Sequence, residues 1–186
     1  MTQPAATATQ GTNHMESNAT ANANVVGRAS GQDHSQTRNE LLQLVGFRVG
    51  GEEYGLDILR VQEIIRLQHL TRVPNSPDSM DGVMNLRGKI IPVIALRKRF
   101  GLEPVNADKE TRIVVVEIHG TVLGFIVDSV SEVLRIPVDT VEPPPLLGKA
   151  TQDYVSGVGK IDERLLILLD VDRLLNRDDF IGISQA

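Results

Sequence analysis

The sequence predicts an all-β fold of two small barrels, each of about five strands, sharing a core at their junction. Three observations lead there. Short apolar, β-branched segments recur between Gly, Asn and Pro turn signals. The second half of the chain repeats the first at a nearly constant offset. The 186 residues are 41% apolar, enough for a core, while each half alone is marginal in size and needs the other.

Residues 1–40 are mostly Ala, Thr, Gln, Asn, Ser and Gly, with Val25 and Val26 interrupting. Such a segment cannot bury enough apolar surface to offset its ordering entropy, so a disordered tail is expected. The folded domain is expected over 41–178, with lobe one at about 42–105 and lobe two at about 110–178, leaving a C-terminal tail at 179–186.

The first strand is "LQLVGFRV" (42–49), followed by a Gly50-Gly51 turn and the return "EEYGLDI" (52–58). "RVQEIIRL" (60–67) reads as a third strand, with Val61, Glu63 and Ile65 on one side and Gln62, Ile64 and Arg66 on the other. "TRVPNSPDS" (71–79) is a loop. "DGVMNLR" and "KIIPVIAL" then flank Gly88, and "LRKRFG" makes one helical turn stopped by Gly101. Arg97, Lys98 and Arg99 read as a solvated helix face.

The repeat organises these elements. Phe47–Arg66 lies over Val116–Arg135 without a gap at offset 69, matching Gly51 with Gly120, Gly55 with Gly124, Val61 with Val130 and Glu63 with Glu132. "GVMNLRGKIIPVIALRKRF" (82–100) lies over "GVGKIDERLLILLDVDRLL" (157–175) at offset 75. The hairpin turn Asn85-Leu86-Arg87-Gly88 has no arginine in its counterpart, Lys160-Ile161-Asp162-Glu163. A charged turn-tip residue present in one repeat only suits a task outside the fold. Gly88 supplies a positive φ and Asn85 caps the turn, so both are turn-shaping residues. Glu63 and Arg87 invite two readings: an ion pair that orients the guanidinium, or two separate solvated charges.

Composition narrows the function. The net charge of −5 and the 3% aromatic content argue against a nucleic-acid partner, which needs a basic face and stacking platforms. With no cysteine there is no disulfide or thiol nucleophile. No stretch has the length of a membrane span and no signal peptide is visible, so a cytoplasmic protein without membrane insertion is expected. His14, His34, His69 and His119 show no ligand spacing, so no metal or other cofactor is expected. "LLILLDVDRLL" resembles the Asp-x-Asp motif of a phosphohydrolase at Asp170 and Asp172, but no lysine follows to complete that chemistry; a helix N-cap is the better reading. No catalytic set assembles.

The segments "EEYGLDILRVQEII", "TRVPNSP", "GVMNLRGKIIPVIALRKRFGL", "GFIVDSVSEVLRIP" and "YVSGVGKIDERLLILLDVDRLL" resemble the CheW-like family of chemotaxis coupling proteins, over residues 42–178. Ala95 departs from that family's pattern, where Asp is usual. The resemblance implies two five-stranded SH3-like barrels and a non-catalytic adaptor. It implies two partners, the cytoplasmic tip of a methyl-accepting chemoreceptor and the regulatory domain of a CheA-type histidine kinase, at membrane-associated receptor arrays. An adaptor of a non-chemotactic array is the alternative. The implied receptor-facing residues are Val61, Glu63 and Arg87 of the first lobe and Val130 and Val133 of the second. Val130 and Val133 cannot face one groove from an ideal strand, so a bulge or helical turn near Ser131 is expected.

Overall fold

In the computed structural model, the residues described are 40–144, 154–161 and 163–175. Of the expected tails, 1–39 and 179–186 fall outside them. Among the described residues eleven strands run in order: β1 (Leu41–Val49), β2 (Glu52–Asp57), β3 (Val61–Arg66), β4 (Met80–Leu86), β5 (Lys89–Ala95), β6 (Arg112–Ile118), β7 (Thr121–Val127), β8 (Ser129–Pro137), β9 (Val141–Glu142), β10 (Val155–Ile161) and β11 (Arg164–Leu169). Two single-turn helices, α1 (Leu96–Arg99) and α2 (Val171–Leu174), follow β5 and β11. Short 3-10 turns at Ile58–Arg60 and Val138–Thr140 lead into β3 and β9.

The fold is all-β in two sheets. One has six strands in the order β8-β1-β2-β11-β10-β9, the other five in the order β3-β6-β7-β5-β4. The sheets do not divide where the sequence repeat does. Hairpin β1–β2 joins the strands of the second repeat, and hairpin β6–β7 joins those of the first. The lobes expected at 42–105 and 110–178 are therefore repeats of sequence that have exchanged their first hairpins. The physical reason is burial: these hairpins carry apolar residues on both faces, as in the β6 run Ile113–Val116, and need a partner sheet on each side. Two parallel seams make the exchange, β2 with β11 through Leu168↔Gly55 and β5 with β7 through Val93↔Gly124. The two pairings are equivalent under the repeat offsets.

Both sheets curl. The outermost strands of the six-stranded sheet, β8 and β9, are joined by Val138–Thr140 alone. Edges of a flat sheet that wide would stand about 24 Å apart, and so short a connection reaches at most about 14 Å. In the other sheet the bridge Thr71↔Val83 ties the chain leaving β3 to the far edge strand β4.

Each sheet holds its own apolar cluster, Leu44, Leu134, Ile136, Leu166 and Leu168 in one, Met84, Ile91, Val93, Ile113 and Val115 in the other. A third and larger cluster lies between them and draws on both, from Phe47 and Leu56 to Val114, Phe125 and Leu174. Phe47, Tyr54, Phe100 and Tyr154 stack in series within it, with ring centroids 5.0 to 5.9 Å apart. Burial, helped by Tyr154 and Glu52, pushes the Tyr54 hydroxyl up to about 12, so it stays neutral at neutral pH.

The basic triplet is not the solvated face expected from its charge. Arg97 holds Asp128 with two hydrogen bonds of 2.7 Å, Lys98 meets Asp81 at 2.6 Å, and Arg99 donates twice to the Leu174 carbonyl at the end of α2. All three side chains therefore meet acceptors supplied by other parts of the chain. Burial alone would raise the Asp128 carboxyl. The hydrogen bonds from Arg97 and from the Gly50 N–H, with the Arg97 charge, outweigh it and hold the group below the ordinary carboxylate value.

Candidate partner-docking face

Arg87 and Gly88 are the two central residues of the β4–β5 hairpin, with φ of 53° and 85°. Two positive φ values in a two-residue loop match the right-handed twist of the strands, a geometry that ordinarily takes Asn-Gly. Gly88 adopts it freely, and its N–H donates to Asn85 Oδ1 at 2.8 Å. Arg87 does not adopt it freely; a left-handed conformation costs an L-residue about 1–2 kcal/mol. Its side chain stays 80% exposed, and Nη2 donates to Glu63 Oε2 at 2.8 Å. The two charges form a pair, with the carboxylate half-buried at the β3 edge and the guanidinium above it.

The backbone of β3 places Glu63 there by an irregularity. Val61 lies opposite Val116 while Glu63 lies opposite Val115, so one residue of β3, Gln62, is extra. Directly opposed residues share a face, and Val116 and Val115 face opposite ways. Val61 and Glu63 are therefore on different faces, contrary to the alternation expected from the sequence; the bulge is the reason. Val61 packs on the central cluster, and Ile64, opposite Val114, joins it on that face while remaining 40% exposed.

β8 repeats the device. Val45 opposes Val133 and Phe47 opposes Val130, so β8 has one residue more than β1 in this interval, at Ser131–Glu132. The bulge falls where one was expected, and it turns Val130 and Val133 to the same side. Val130 packs on the central cluster, and Val133 is 51% exposed.

The structure thus joins Glu63 to Arg87 and seats Val61 and Val130 on one cluster. Ile64 shares the face of Val61. The repeat offset of 69 matches it with Val133. Glu132, the counterpart of Glu63, is exposed, and the counterpart of Arg87, Asp162, lies outside the described residues. None of the five expected site residues lines the 690 Å³ cleft, which is bounded by 40–44, 55–60 and 168–172 with Val138, Val141 and Ser156.

Asp170 is a helix cap: its Oδ1 accepts from the Asp172 N–H at 3.1 Å at the start of α2. Among the described residues no group of three or more His, Asp or Glu is placed to hold a metal ion, and no helix is long and apolar enough to cross a membrane.

The geometry offers apolar side chains on two edge strands and one fixed cation beside them, and known proteins share this chain's plan. A family model, CheW-like domain, matches residues 43–179. The chemotaxis protein CheW of Klebsiella aerogenes is 41% identical over 141 residues, 75% of this chain and 85% of its own length. That of Helicobacter pylori is 37% identical over 150 residues, 81% of this chain and 91% of its own. The crystal structure of the scaffolding protein TtCheW from Thermoanaerobacter tengcongensis superposes with a TM-score of 0.70 at 38% identity, covering 75% of this chain and 96% of that one. On the match over its folded body in both sequence and structure, this chain belongs to the CheW-like domain family.

Proposed function

We propose that this chain is the adaptor that couples chemoreceptor tips to the regulatory domain of a CheA-type histidine kinase at a membrane-associated array. Its family is one of chemotaxis scaffolds without catalysis. The receptor tip, a helical hairpin, docks along the two edge strands with Val61, Ile64, Val130 and Val133 as apolar anchors and the Glu63–Arg87 pair on the rim. The observation that carries this reading is Arg87. It occupies a strained backbone position, is mostly exposed, and has its fork oriented by Glu63. Strain of this kind persists where a function selects the residue, since Asn would make the better turn.

The test is a titration of the purified protein against a receptor-tip hairpin and a kinase regulatory domain, separately and together. Arg87→Glu is expected to weaken receptor binding about tenfold, or 1.4 kcal/mol, with kinase binding unchanged. Unchanged receptor affinity would remove Arg87 from the docking face. Failure of the unmodified protein to bind either partner would overturn the adaptor assignment.

A further inference from the structure

The two edge strands of the docking face carry one pattern. β3 reads Val61-Gln-Glu-Ile-Ile-Arg66, and 69 residues on β8 reads Val130-Ser-Glu-Val-Leu-Arg135. Elsewhere in the aligned interval charge is not repeated. Arg48 falls on Glu117, Glu53 on Val122, Asp57 on Ile126 and Arg60 on Ser129, whereas Glu63 and Arg66 fall on Glu132 and Arg135. Core packing does not account for the arginines, since both are exposed.

The strand registers put both arginines on the docking face. Ile64, Ile65 and Arg66 lie opposite Val114, Ile113 and Arg112 with no irregularity between them, so Ile64 and Arg66 share one side. Val133, Leu134 and Arg135 lie opposite Val45, Leu44 and Gln43 in the same way, so Val133 and Arg135 share one side. Each strand thus presents an apolar residue seated on the central cluster, a second apolar residue that is exposed, and then a cation.

Neither cation is neutralised by its own fold. Arg60, Arg87, Arg97, Arg164 and Arg173 each meet a carboxylate; among the described residues Arg66 and Arg135 meet none. Arg66 instead lies directly opposite Arg112, whose guanidinium donates to the Lys109 and Thr111 carbonyls at 2.7 and 2.9 Å and so keeps its full charge. Like charges directly opposed weaken a sheet. The arrangement suits a face that receives negative charge from outside.

We propose that Arg66 and Arg135 each bind a carboxylate of the docked partner, one on each helix of the hairpin. The inference rests on the docking reading above and adds the chemistry of the partner to it. A guanidinium presents a planar fork that matches a carboxylate. Two residues of strand span about 6.6 Å, and four of helix about 6 Å. The acidic residue therefore lies about four positions along its helix from the apolar one that meets Ile64 or Val133. Two helices meet two strands, and the repeated pattern gives each helix an equivalent site.

The full-length protein is titrated with the receptor-tip hairpin, and with the same hairpin after its exposed Asp and Glu are replaced by Asn and Gln. Arg66→Gln and Arg135→Gln should each weaken binding of the acidic hairpin about fivefold and together about 25-fold, with a shallower dependence on salt. Arg48→Gln, at an exposed arginine whose charge is not repeated, should leave the affinity unchanged. The double variant should no longer distinguish the two hairpins. Melting temperature should be unchanged or raised in Arg66→Gln, which relieves the opposition to Arg112; a fall would make Arg66 a structural residue and overturn the proposal. Equal losses in Arg48→Gln, a loss confined to one of the two arginines, or a double variant that still prefers the acidic hairpin would each overturn it. If the unmodified protein binds and the variants match it, this inference fails and the docking reading stands; if the unmodified protein does not bind the hairpin, both fail.

Discussion

Arg87 separates stability from binding at the level of one residue. Arg87→Asn puts into the left-handed position a residue that tolerates it, and loses only an exposed ion pair worth about 0–1 kcal/mol. Thermal unfolding is expected to show stability unchanged or raised by up to about 1 kcal/mol, while receptor affinity falls. The opposite pattern, lost stability with intact binding, would make Arg87 a structural residue. The pairing with Glu63 is checked by a double-mutant cycle in which Glu63→Arg restores part of the binding lost in Arg87→Glu; strict additivity would argue that the two do not act together. Asp128 provides a second residue-scale expectation. Its folded carboxyl lies below its ordinary value of 3.8, so its contribution is fully present above that value and is lost as pH falls through the folded value. Melting temperature should therefore fall with acid more steeply, below pH 3.8, in the unmodified protein than in Arg97→Gln, which lacks the partner. Equal acid limbs would mean that the pair contributes nothing. At this scale the sequence was legible where chemistry is local: Asn85, Gly88 and Asp170 follow from turn and cap rules. The triplet Arg97-Lys98-Arg99 was not legible, because Asp128, Asp81 and the Leu174 carbonyl come from other parts of the chain.

At the scale of elements, the repeat in the sequence marks what the strands require. Gly55 and Gly124 coincide at offset 69 and each takes part in a parallel seam, where Gly55 is crowded across the seam by Leu166 of β11 and Gly124 from its other side by Ile113 of β6. A Cβ at Gly124 would stand 2.6 Å from Ile113 Cγ2, and one at Gly55 2.9 Å from Leu166 Cδ2. Gly124→Ala is expected to cost about 1–3 kcal/mol by overpacking, measured by urea unfolding, whereas Gly51→Ala, with nothing within 4 Å of its Cβ, should be close to neutral. A neutral Gly124→Ala would mean that Ile113 of β6 gives way easily. The helices make a complementary comparison. Ala95 begins α1 with φ and ψ of −83° and 110°, close to the −94° and 102° of Asp170 before α2, but no side chain caps α1. Ala95→Asp supplies that cap and should stabilise the protein by about 1 kcal/mol. Strand positions and the turn between β4 and β5 could be read from residue patterns. The bulge at Gln62 could not, because a bulge is a relation between two strands, and strict alternation put Glu63 on the wrong face relative to Val61. The bulge near Ser131 was foreseen because two valines three residues apart had to share one side. Ile64 would have followed had the offset been applied to them in reverse.

For the molecule as a whole, the exchange of hairpins makes the two repeats one cooperative unit. The sequence shows the likeness of the repeats but not the exchange, since strand partners are chosen by tertiary packing rather than by proximity along the chain. The consequence can be tested on fragments. Residues 1–105 contain β3, β4 and β5 without the β6–β7 hairpin that separates β3 from β5 in their sheet, and contain β1 and β2 without the strands on either side of them. Residues 106–186 have the complementary deficit. Neither fragment can bury the central cluster, to which both contribute, as Phe47 and Leu56 do from one and Val114, Phe125 and Leu174 from the other. Had each repeat closed on its own strands, a fragment could retain a sheet and melt cooperatively even at marginal stability. With exchanged hairpins, each fragment alone should show no cooperative melt by circular dichroism and should bind a dye specific for exposed apolar surface. Mixed at equal concentration, the two should recover the β-sheet spectrum and a single transition whose midpoint rises with concentration, as expected when folding and association are one reaction. A cooperative transition in either isolated fragment would show that the repeats can stand apart, and the shared core would then be a junction between finished bodies rather than the feature that makes them fold.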